Sequence, residues 1–522
     1  HRVGKLNVCD HIVLVATASS HRHAAFDGAN FIMDYLKSKA PFWKKEHLQS
    51  GDSGDWVDAK ESTQIYNPAT GEVFATIACA TKSDVERAIS AARACVESGV
   101  LTDCRPAQRA ELMYRIATEI RLIAEEAAPL LCQENGKSLS DAKEEFLIAA
   151  RYFEYYAGMA DKIEGKSIPL GKDYVDFTYY EPVGISAQIV PWNFPVDICA
   201  RSLAPALAAG NAVIVKSPEI TPLAMTWLAT ACTRAGLPNG ALSILSGPGR
   251  EIGAALVAHP QVNQIVFTGS VATGQSILKA AAEHATPSVM ELGGKSAAVV
   301  FQDADIDEVL ESVRWGIFFN AGQVCSAMSR LLVHKDRYAE VVEKVAALAQ
   351  DLSVGAGMDN ADLTPVVSLQ QQQQILDICQ QAETQGARLV CGGKAPDRAG
   401  YFVEATVFAD VTPDMSLFTD EVFGPVLAIT PFESEEEAWQ LANATQFGLV
   451  AGVFTHDLTR AIRASRALKA GQVFVNEWYA GGIETPFGGI GLSGFGREKG
   501  QEALYSYVNT KNVAIRVTAE NR

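Results

Sequence analysis

From residue 66 onward, apolar positions fall into helical and strand periods that take turns along the chain. A turn over Tyr66-Asn67-Pro68-Ala69-Thr70-Gly71-Glu72 leads into a strand and then three long helices. The first is predicted over 83–98, opened by Ser83 with Glu86 three residues on, the pattern of a capping box. Apolar residues at i, i+3 and i+4 predict two more, over 105–132 and 140–161. Strands then alternate with helices. Val183–Val190 is followed by a helix over 195–208, Ala212–Lys216 by a helix over 223–235, and Leu242–Leu245, Ile252–His259 and Gln264–Phe267 continue the series. Alternation at this length implies βαβ units around a parallel sheet, an α/β fold. Val513-Ala514-Ile515-Arg516-Val517 reads as a short closing strand.

The first fifty residues read differently. They give a strand over His11–Ala16, a turn at Ser19-Ser20, a helix over 22–39 and a basic aromatic tail, Pro41-Phe42-Trp43-Lys44-Lys45. Five of the nine histidines lie here (His1, His11, His21, His23, His47), and the next is His259. Residues 1–52 carry seven Lys/Arg against five Asp/Glu; of the 44 and 61 in the whole chain, 37 and 56 remain for the rest, a balance of -19. Two unlike pieces meet near Gly51–Gly54.

A chain of 522 residues is expected to hold more than one domain. No apolar run approaches the roughly 18–20 residues of a membrane helix, so no membrane partner is expected. A net charge of -17 would repel nucleic-acid phosphates and excludes that partner class. The ten cysteines are scattered without any C-x-x-C pair, which leaves zinc-ribbon and thioredoxin-like readings without support; no metal site is expected, and the compartment is read as reducing and cytoplasmic.

One cysteine stands apart. Cys325 lies in Asn320-Ala321-Gly322-Gln323-Val324-Cys325-Ser326, where small neighbours leave a thiol approachable, although a lone cysteine is commonly a buried structural residue. Two glycine clusters follow strands. Gly247-Pro248-Gly249-x-x-x-Gly253 is one residue too long for the dinucleotide fingerprint. The second, a tight turn at Gly269-Ser270 with Gly274 one helical turn on, offers a helix N-terminus to a phosphate, or is a plain capped βα turn.

Five segments carry a specific resemblance: Pro191-Trp192-Asn193-Phe194-Pro195, Met290-Glu291-Leu292-Gly293-Gly294-Lys295, the Cys325 stretch, Glu421-Val422-Phe423-Gly424-Pro425-Val426, and Phe487-Gly488-Gly489 with Ser493-Gly494-x-Gly496-Arg497-Glu498. In order and spacing they resemble the aldehyde dehydrogenase superfamily over residues 56–517. The resemblance implies an aldehyde dehydrogenase fold: a Rossmann-like NAD domain (55–160 and 183–292), a catalytic domain (293–492), and an oligomerisation element (161–182 and 500–517) in a homodimer or homotetramer. It implies NAD-dependent oxidation of an aldehyde to an acid, with Cys325 as nucleophile, Asn193 as oxyanion donor and Glu291 as the base that activates water. Each has a bland counterpart: a surface salt bridge for Glu291, an Asx turn for Asn193.

Cofactor contacts carry over to Trp192, Lys216, Glu219, Gly269, Ser270, Glu421 and Phe423. A carboxylate at Glu219 suits ribose hydroxyls and opposes a 2′-phosphate, favouring NAD over NADP. Substrate contacts carry over to Phe194, Asp197, Arg201 and Trp478, with Ile198, Ser326 and the 478–484 loop beside them. Arg201 is read either as an anchor for a substrate carboxylate or phenolate, hence a semialdehyde or aromatic aldehyde, or as the i,i+4 partner of Asp197. Trp478 and Tyr479 stack on an aromatic substrate or merely pack. Glu498 is either part of a proton relay or a helix cap.

Residues His21-Arg22-x-x-x-Phe26, Phe31–Lys37 and Ala40–Glu46 resemble the C-terminal part of the molybdopterin synthase large subunit, whose phosphate pocket would fall on Arg22, Lys37 and Lys44. Two alternatives to aldehyde oxidation therefore stand: molybdopterin synthase activity from residues 1–52, and a non-catalytic binding protein that keeps the fold.

Overall fold

The chain divides into two units, residues 1–61 and 62–522, and a computed structural model describes residues 61–517. The strand and helix expected over 11–39, the basic tail, and Arg22, Lys37 and Lys44 lie outside the described residues.

Two sheets organise the second unit. The first has six strands in the order Gly494–Phe495, Ser288–Glu291, Gln264–Thr268, Ile185–Ile189, Ala212–Lys216, Leu242–Leu245. All its pairings are parallel except that of Gly494–Phe495 with Ser288–Glu291. Ala212–Lys216 and Gln264–Thr268 are buried at every position, as strands covered on both faces must be, which is why they read as unbroken apolar runs. The second sheet has seven strands, in the order Arg388–Cys391, Thr406–Ala409, Val426–Phe432, Arg330–His334, Ala297–Val300, Val450–Phe454, Gln472–Val475. Only its edge strand Arg388–Cys391 is antiparallel to its neighbour. A third, small antiparallel sheet pairs Val508–Arg516 with Tyr174–Pro182, and Tyr174–Pro182 with Ser167–Ile168. The expected α/β class is the one found.

Element positions agree with the apolar periods, and boundaries differ where local hydrogen bonds decide them. The first helix runs Lys82–Glu97, capped by Thr81, not Ser83. Thr81 has the extended backbone a cap needs, and Asp84, not Glu86, returns the bond to its N–H at 2.7 Å. The second, Pro106–Asn135, outruns its expected end and stops at Gly136, whose φ of 95° is the left-handed conformation that ends helices. The third is Leu139–Ala157, capped by Ser138. Residues 252–259 give a wide turn over Gly249–Gly253 and a single α-turn, Ala254–Val257. The closing strand is nine residues, Val508–Arg516, because its whole length finds partners in Tyr174–Pro182.

In the first sheet, the register places Ile189 beside Lys216 and Phe267, and Thr268 beside Glu291. These are carboxyl ends of parallel strands, the edge where open α/β sheets gather ligands. Charges buried behind that edge fix it. Glu134 accepts from the Leu223 and Ala224 N–H groups at 2.7 and 2.8 Å, holding the start of helix Ala224–Arg234. Glu145 accepts from Val196 and Asp197 N–H at 2.8 and 3.1 Å, holding the start of helix Pro195–Ala209. Anionic groups at helix N-termini satisfy donors with no partner inside the helix. Glu145 is also paired with Lys137 Nζ at 2.5 Å, both side chains almost wholly buried.

Burial pushes the Glu145 carboxyl upward and the Lys137 charge opposes that shift. Lys137→Met therefore leaves Glu145 buried without a counter-ion, at an expected loss of about 3–5 kcal/mol. A carboxyl whose folded-state pKa is raised stabilises the fold below its unfolded pKa and ceases to do so as pH rises through the folded value. The deficit should thus be larger at pH 8 than at pH 5. Urea unfolding of Lys137→Met and native protein at both pH values measures it; no deficit at either would place the pair outside the stability of the fold, and an equal deficit at both would mean that the Glu145 charge does not set it.

Candidate active site

The Cys325 turn is built under constraint. Three successive residues take positive φ: Asn320 at 49°, Ala321 at 52° and Gly322 at 70°. Left-handed backbone is costly for the first two, and Gly322 must be glycine for a second reason: a Cβ there would lie 2.1 Å from the Gly424 carbonyl oxygen. Gln323, fully buried, holds the turn by donating to Asn320 O at 3.0 Å and accepting from Val367 N–H at 2.9 Å. Cys325 follows, half-buried. Burial pushes its thiol up to about 11, opposed by the Arg201 charge and reinforced by Glu421, Glu291 and Glu498. Those four side chains come from distant points of the sequence, so the fold has gathered them around one sulfur.

Asn193 reaches the same turn. Its Nδ2 donates to Gln323 O at 3.0 Å, two residues before the cysteine and 130 residues along the chain. An Asx turn is not what this side chain makes. One N–H is spent on Gln323, which leaves the second directed by it. The loop that carries Asn193 is tied from behind by Lys137 Nζ to Asn193 O at 2.9 Å, Asn135 Nδ2 to Trp192 O at 2.8 Å and Thr221 Oγ1 to Trp192 O at 3.0 Å.

Glu291 ends its strand at 1% exposure, so it is no surface salt bridge. Neither carboxylate oxygen has a hydrogen-bond partner among the described residues. A Cβ on Gly488 would lie 2.7 Å from Glu291 Oε1, so this glycine leaves the room in which the carboxylate lies. Burial, then the Glu498 charge, drive the Glu291 carboxyl well above the usual carboxylate range. An unpartnered buried carboxyl is costly unless chemistry uses it, and such groups cluster at functional sites.

The cofactor candidates line one edge. Lys216 Nζ is buried 3.8 Å from Glu219 Oε1, and Glu219 Oε1 accepts from Gly249 N–H at 2.6 Å. The first glycine cluster, wrong in spacing for a fingerprint, thus lies against Lys216 and Glu219; only the fold brings it there. Gly269 donates its N–H to Glu291 O at 3.0 Å, and Ser270 caps helix Val271–Ala282. Glu421 Oε1 accepts from Gly294 N–H at 2.9 Å, and burial pushes this carboxyl up to about 7. Phe423, with φ of 56°, sets its ring edge-on to Trp192 at 5.4 Å. Gln371 Nε2, absent from the sequence expectations, donates to Phe423 O at 3.0 Å and supports that backbone. A small pocket lined by Gly294, Gly322, Val324, Glu421 and Phe423 joins these residues to the cysteine turn.

Among the substrate candidates, two expectations are corrected. Arg201 does not pair with Asp197: its Nη2 meets Glu498 Oε2, and both side chains are buried. Glu498 in turn caps no helix but exchanges backbone hydrogen bonds with Phe487. Trp478, at 4% exposure, donates its indole N–H to Ser326 O at 3.2 Å and packs against Phe474 and Tyr479. It therefore supports the turn from below and offers no open face for stacking. Phe194 does face an aromatic partner, stacking on Phe319 with centroids 5.9 Å apart, and Trp315 tilts against Phe319 at 6.1 Å.

Comparison with known proteins agrees with this geometry. The profile of the aldehyde dehydrogenase family matches residues 56–513, and that of MoaE protein matches residues 1–39. The chain is 39% identical over 451 residues to a putative aldehyde dehydrogenase, DhaS, of Bacillus subtilis, covering 86% of this chain and 91% of that protein. It is 40% identical to the mitochondrial aldehyde dehydrogenase of Equus caballus, covering 90% of this chain and 95% of that protein. Among solved structures, the NAD+ complex of aldehyde dehydrogenase from Bacillus cereus superposes with a TM-score of 0.89 at 37% identity, over 93% of this chain and 99% of that one. Similarity of this length, carried by residues the fold draws together around one cysteine, means that the chain belongs to the aldehyde dehydrogenase family.

Proposed function

We propose that this protein oxidises an aldehyde to its carboxylic acid with NAD as hydride acceptor, through covalent addition of the substrate to Cys325. The observation that carries the reading is the meeting of Asn193 Nδ2 with the Cys325 turn, through Gln323 O at 3.0 Å, beside the unpartnered Glu291. An aldehyde carbon cannot release hydride until a nucleophile has made it tetrahedral. Cys325 supplies that nucleophile once its proton has left, a step burial opposes and Arg201 assists. The oxygen left negative by attack is received by the second N–H of Asn193 and the backbone N–H of Cys325; one such donor is typically worth ~3–4 kcal/mol. NAD, held at this edge by Trp192, Glu421 and Phe423, would supply the hydride acceptor. Loss of hydride leaves Cys325 acylated, and Glu291, with neither oxygen engaged among the described residues, draws a proton from water to hydrolyse the thioester.

Lys216, Glu219 and the Gly249 amide suit the adenosine end of NAD, Gly269 and Ser270 its pyrophosphate, and Trp192, Glu421 and Phe423 its nicotinamide end. Glu219, half-exposed on its side chain, opposes a 2′-phosphate, which favours NAD over NADP. With Arg201 engaged by Glu498 and Phe194 stacked on Phe319, the approach favours an apolar aromatic aldehyde over a semialdehyde. We assign residues 55–160 and 183–292 to cofactor binding, 293–492 to catalysis, and 161–182 with 500–517 to assembly. The edge strand Val508–Arg516 leaves one row of backbone groups unpaired among the described residues, and a homodimer or homotetramer would pair it; a cytoplasmic setting completes the reading.

Cys325→Ala is expected to lower NADH formation by at least about a thousandfold, and retained turnover would end the covalent mechanism. Glu291→Gln should keep hydride transfer and slow hydrolysis by about 10²–10⁴, visible in stopped flow as an NADH burst followed by a slow phase. Absence of the burst would move Glu291 to an earlier step. A panel of aliphatic, carboxylated and aromatic aldehydes with NAD and NADP should give its highest kcat/KM with an aromatic aldehyde and NAD; a preference for a carboxylated aliphatic substrate would reverse the reading of Arg201.

A further inference from the structure

Arg201 lies on the second turn of helix Pro195–Ala209, and its only ion pair among the described residues is with Glu498. Arg201 Nε and Nη2 and both Glu498 oxygens make no hydrogen bond among the described residues, so the two buried groups rest on this ion pair alone. The Phe487 ring lies 5.2 Å from the guanidinium, and Lys499 Nζ stands 5.4 Å from the same ring. Glu498 is pinned in place because its backbone exchanges hydrogen bonds of 2.8 and 2.7 Å with Phe487. The next residue is Gly488, the glycine against which Glu291 Oε1 lies. One short strip thus carries Glu498, engaged by Arg201, and borders Glu291, whose oxygens have no hydrogen-bond partner among the described residues.

The ionised groups acting on Arg201 come from several elements: Asp197 on its own helix, Glu498 on the strip and Glu291 at its strand end, with the Tyr152 hydroxyl on helix Leu139–Ala157 beside them. Lys499 answers the same cluster from the strip. Three carboxylates therefore share Arg201, Arg497 and Lys499, with Arg497 acting on Glu291. Remove Arg201 and Glu498 loses the cation it pairs with; it must then keep a proton or share one with Glu291.

We propose that Arg201 is a positioning residue and not an anchor for substrate charge: by engaging Glu498 it keeps both oxygens of Glu291 free, and it holds positive charge beside Cys325. The inference takes its meaning from the aldehyde-oxidation reading and deepens it.

The test uses the full chain with Arg201→Met and Arg201→Lys. Iodoacetamide alkylation of Cys325, followed by mass spectrometry of its peptide across pH, reads the thiol without turnover. At pH 8, Arg201→Met should alkylate about tenfold more slowly than native protein, the size of a neighbouring charge's effect on an acid, and Arg201→Lys should recover most of the rate. Turnover by Arg201→Met should fall by the same factor for a neutral and a carboxylated aromatic aldehyde. Unchanged alkylation, or a KM that rises for the carboxylated aldehyde alone, overturns the proposal. Should Arg201→Met not fold, Arg201→Met/Glu498→Gln removes both buried charges together. Slow alkylation should persist there, since Arg201 acts on the thiol more strongly than Glu498 does; a native rate overturns the proposal again. Native protein that makes no NADH from any aldehyde ends the proposed function, whereas native turnover with an unaltered Arg201→Met thiol profile ends this inference alone.

Discussion

The Lys137–Glu145 pair is the interaction on which the active-site edge depends. Lys137 divides its donors between Glu145 and the Asn193 carbonyl, and Glu145 divides its oxygens between Lys137 and the first amides of helix Pro195–Ala209. Loop and helix are therefore set by the same two charges. The loop presents Asn193 to the cysteine turn and the helix presents Arg201 to Glu498. Buried ion pairs are poor sources of net stability, because desolvation consumes much of their attraction. What this one supplies is position: its partners are fixed backbone groups, and any shift of the loop would strand a charge away from water.

Desolvation then governs the chemistry. The groups assigned to reaction are buried, and burial moves each in the direction of its neutral form: Cys325 and Glu291 upward, Lys216 downward. A neutral thiol is a weak nucleophile and a neutral carboxyl is no base, so the site needs nearby charge to recover both. Arg201 is that charge for Cys325. Its own burial lowers its affinity for the proton, but Glu498, and after it Tyr152, Asp197 and Glu291, together more than reverse this, and Arg201 stays a cation.

Much of this was legible in the sequence because the motifs are local. Asn193, Glu291 and Cys325 each lie in a short segment whose neighbours identify it, and Gly322 announces a turn by itself. Strands Ala212–Lys216 and Leu242–Leu245 were readable to the residue, since each is an apolar run bounded by polar or turn residues. What was not legible depends on distance. Arg201 and Asp197 stand four apart on one helix, which suggests a pair, but a carboxylate nearly 300 residues later takes the guanidinium. Trp478 reads either as a stacking face for substrate or as packing, and only the approach of Ser326 O decides for packing. Lys137 sits between a helix-ending Gly136 and a capping Ser138, and nothing in that context separates it from a surface lysine.

The Cys325 turn shows why position and reactivity could not have been solved separately. Three left-handed residues in succession would be unstable in isolation, and they persist because Gln323 ties the turn to itself and to Val367. The main-chain carbonyl of the same Gln323 receives Asn193 Nδ2. One residue thus fixes where the sulfur emerges and which way the amide opposite it points. A side chain that only braced the turn would leave Asn193 free to rotate; one that only oriented Asn193 would leave the strained backbone free to relax. Joining both duties in one buried residue, whose side-chain amide braces the turn while its main-chain carbonyl orients Asn193, couples strain at the nucleophile to alignment of the group that must receive the negative oxygen.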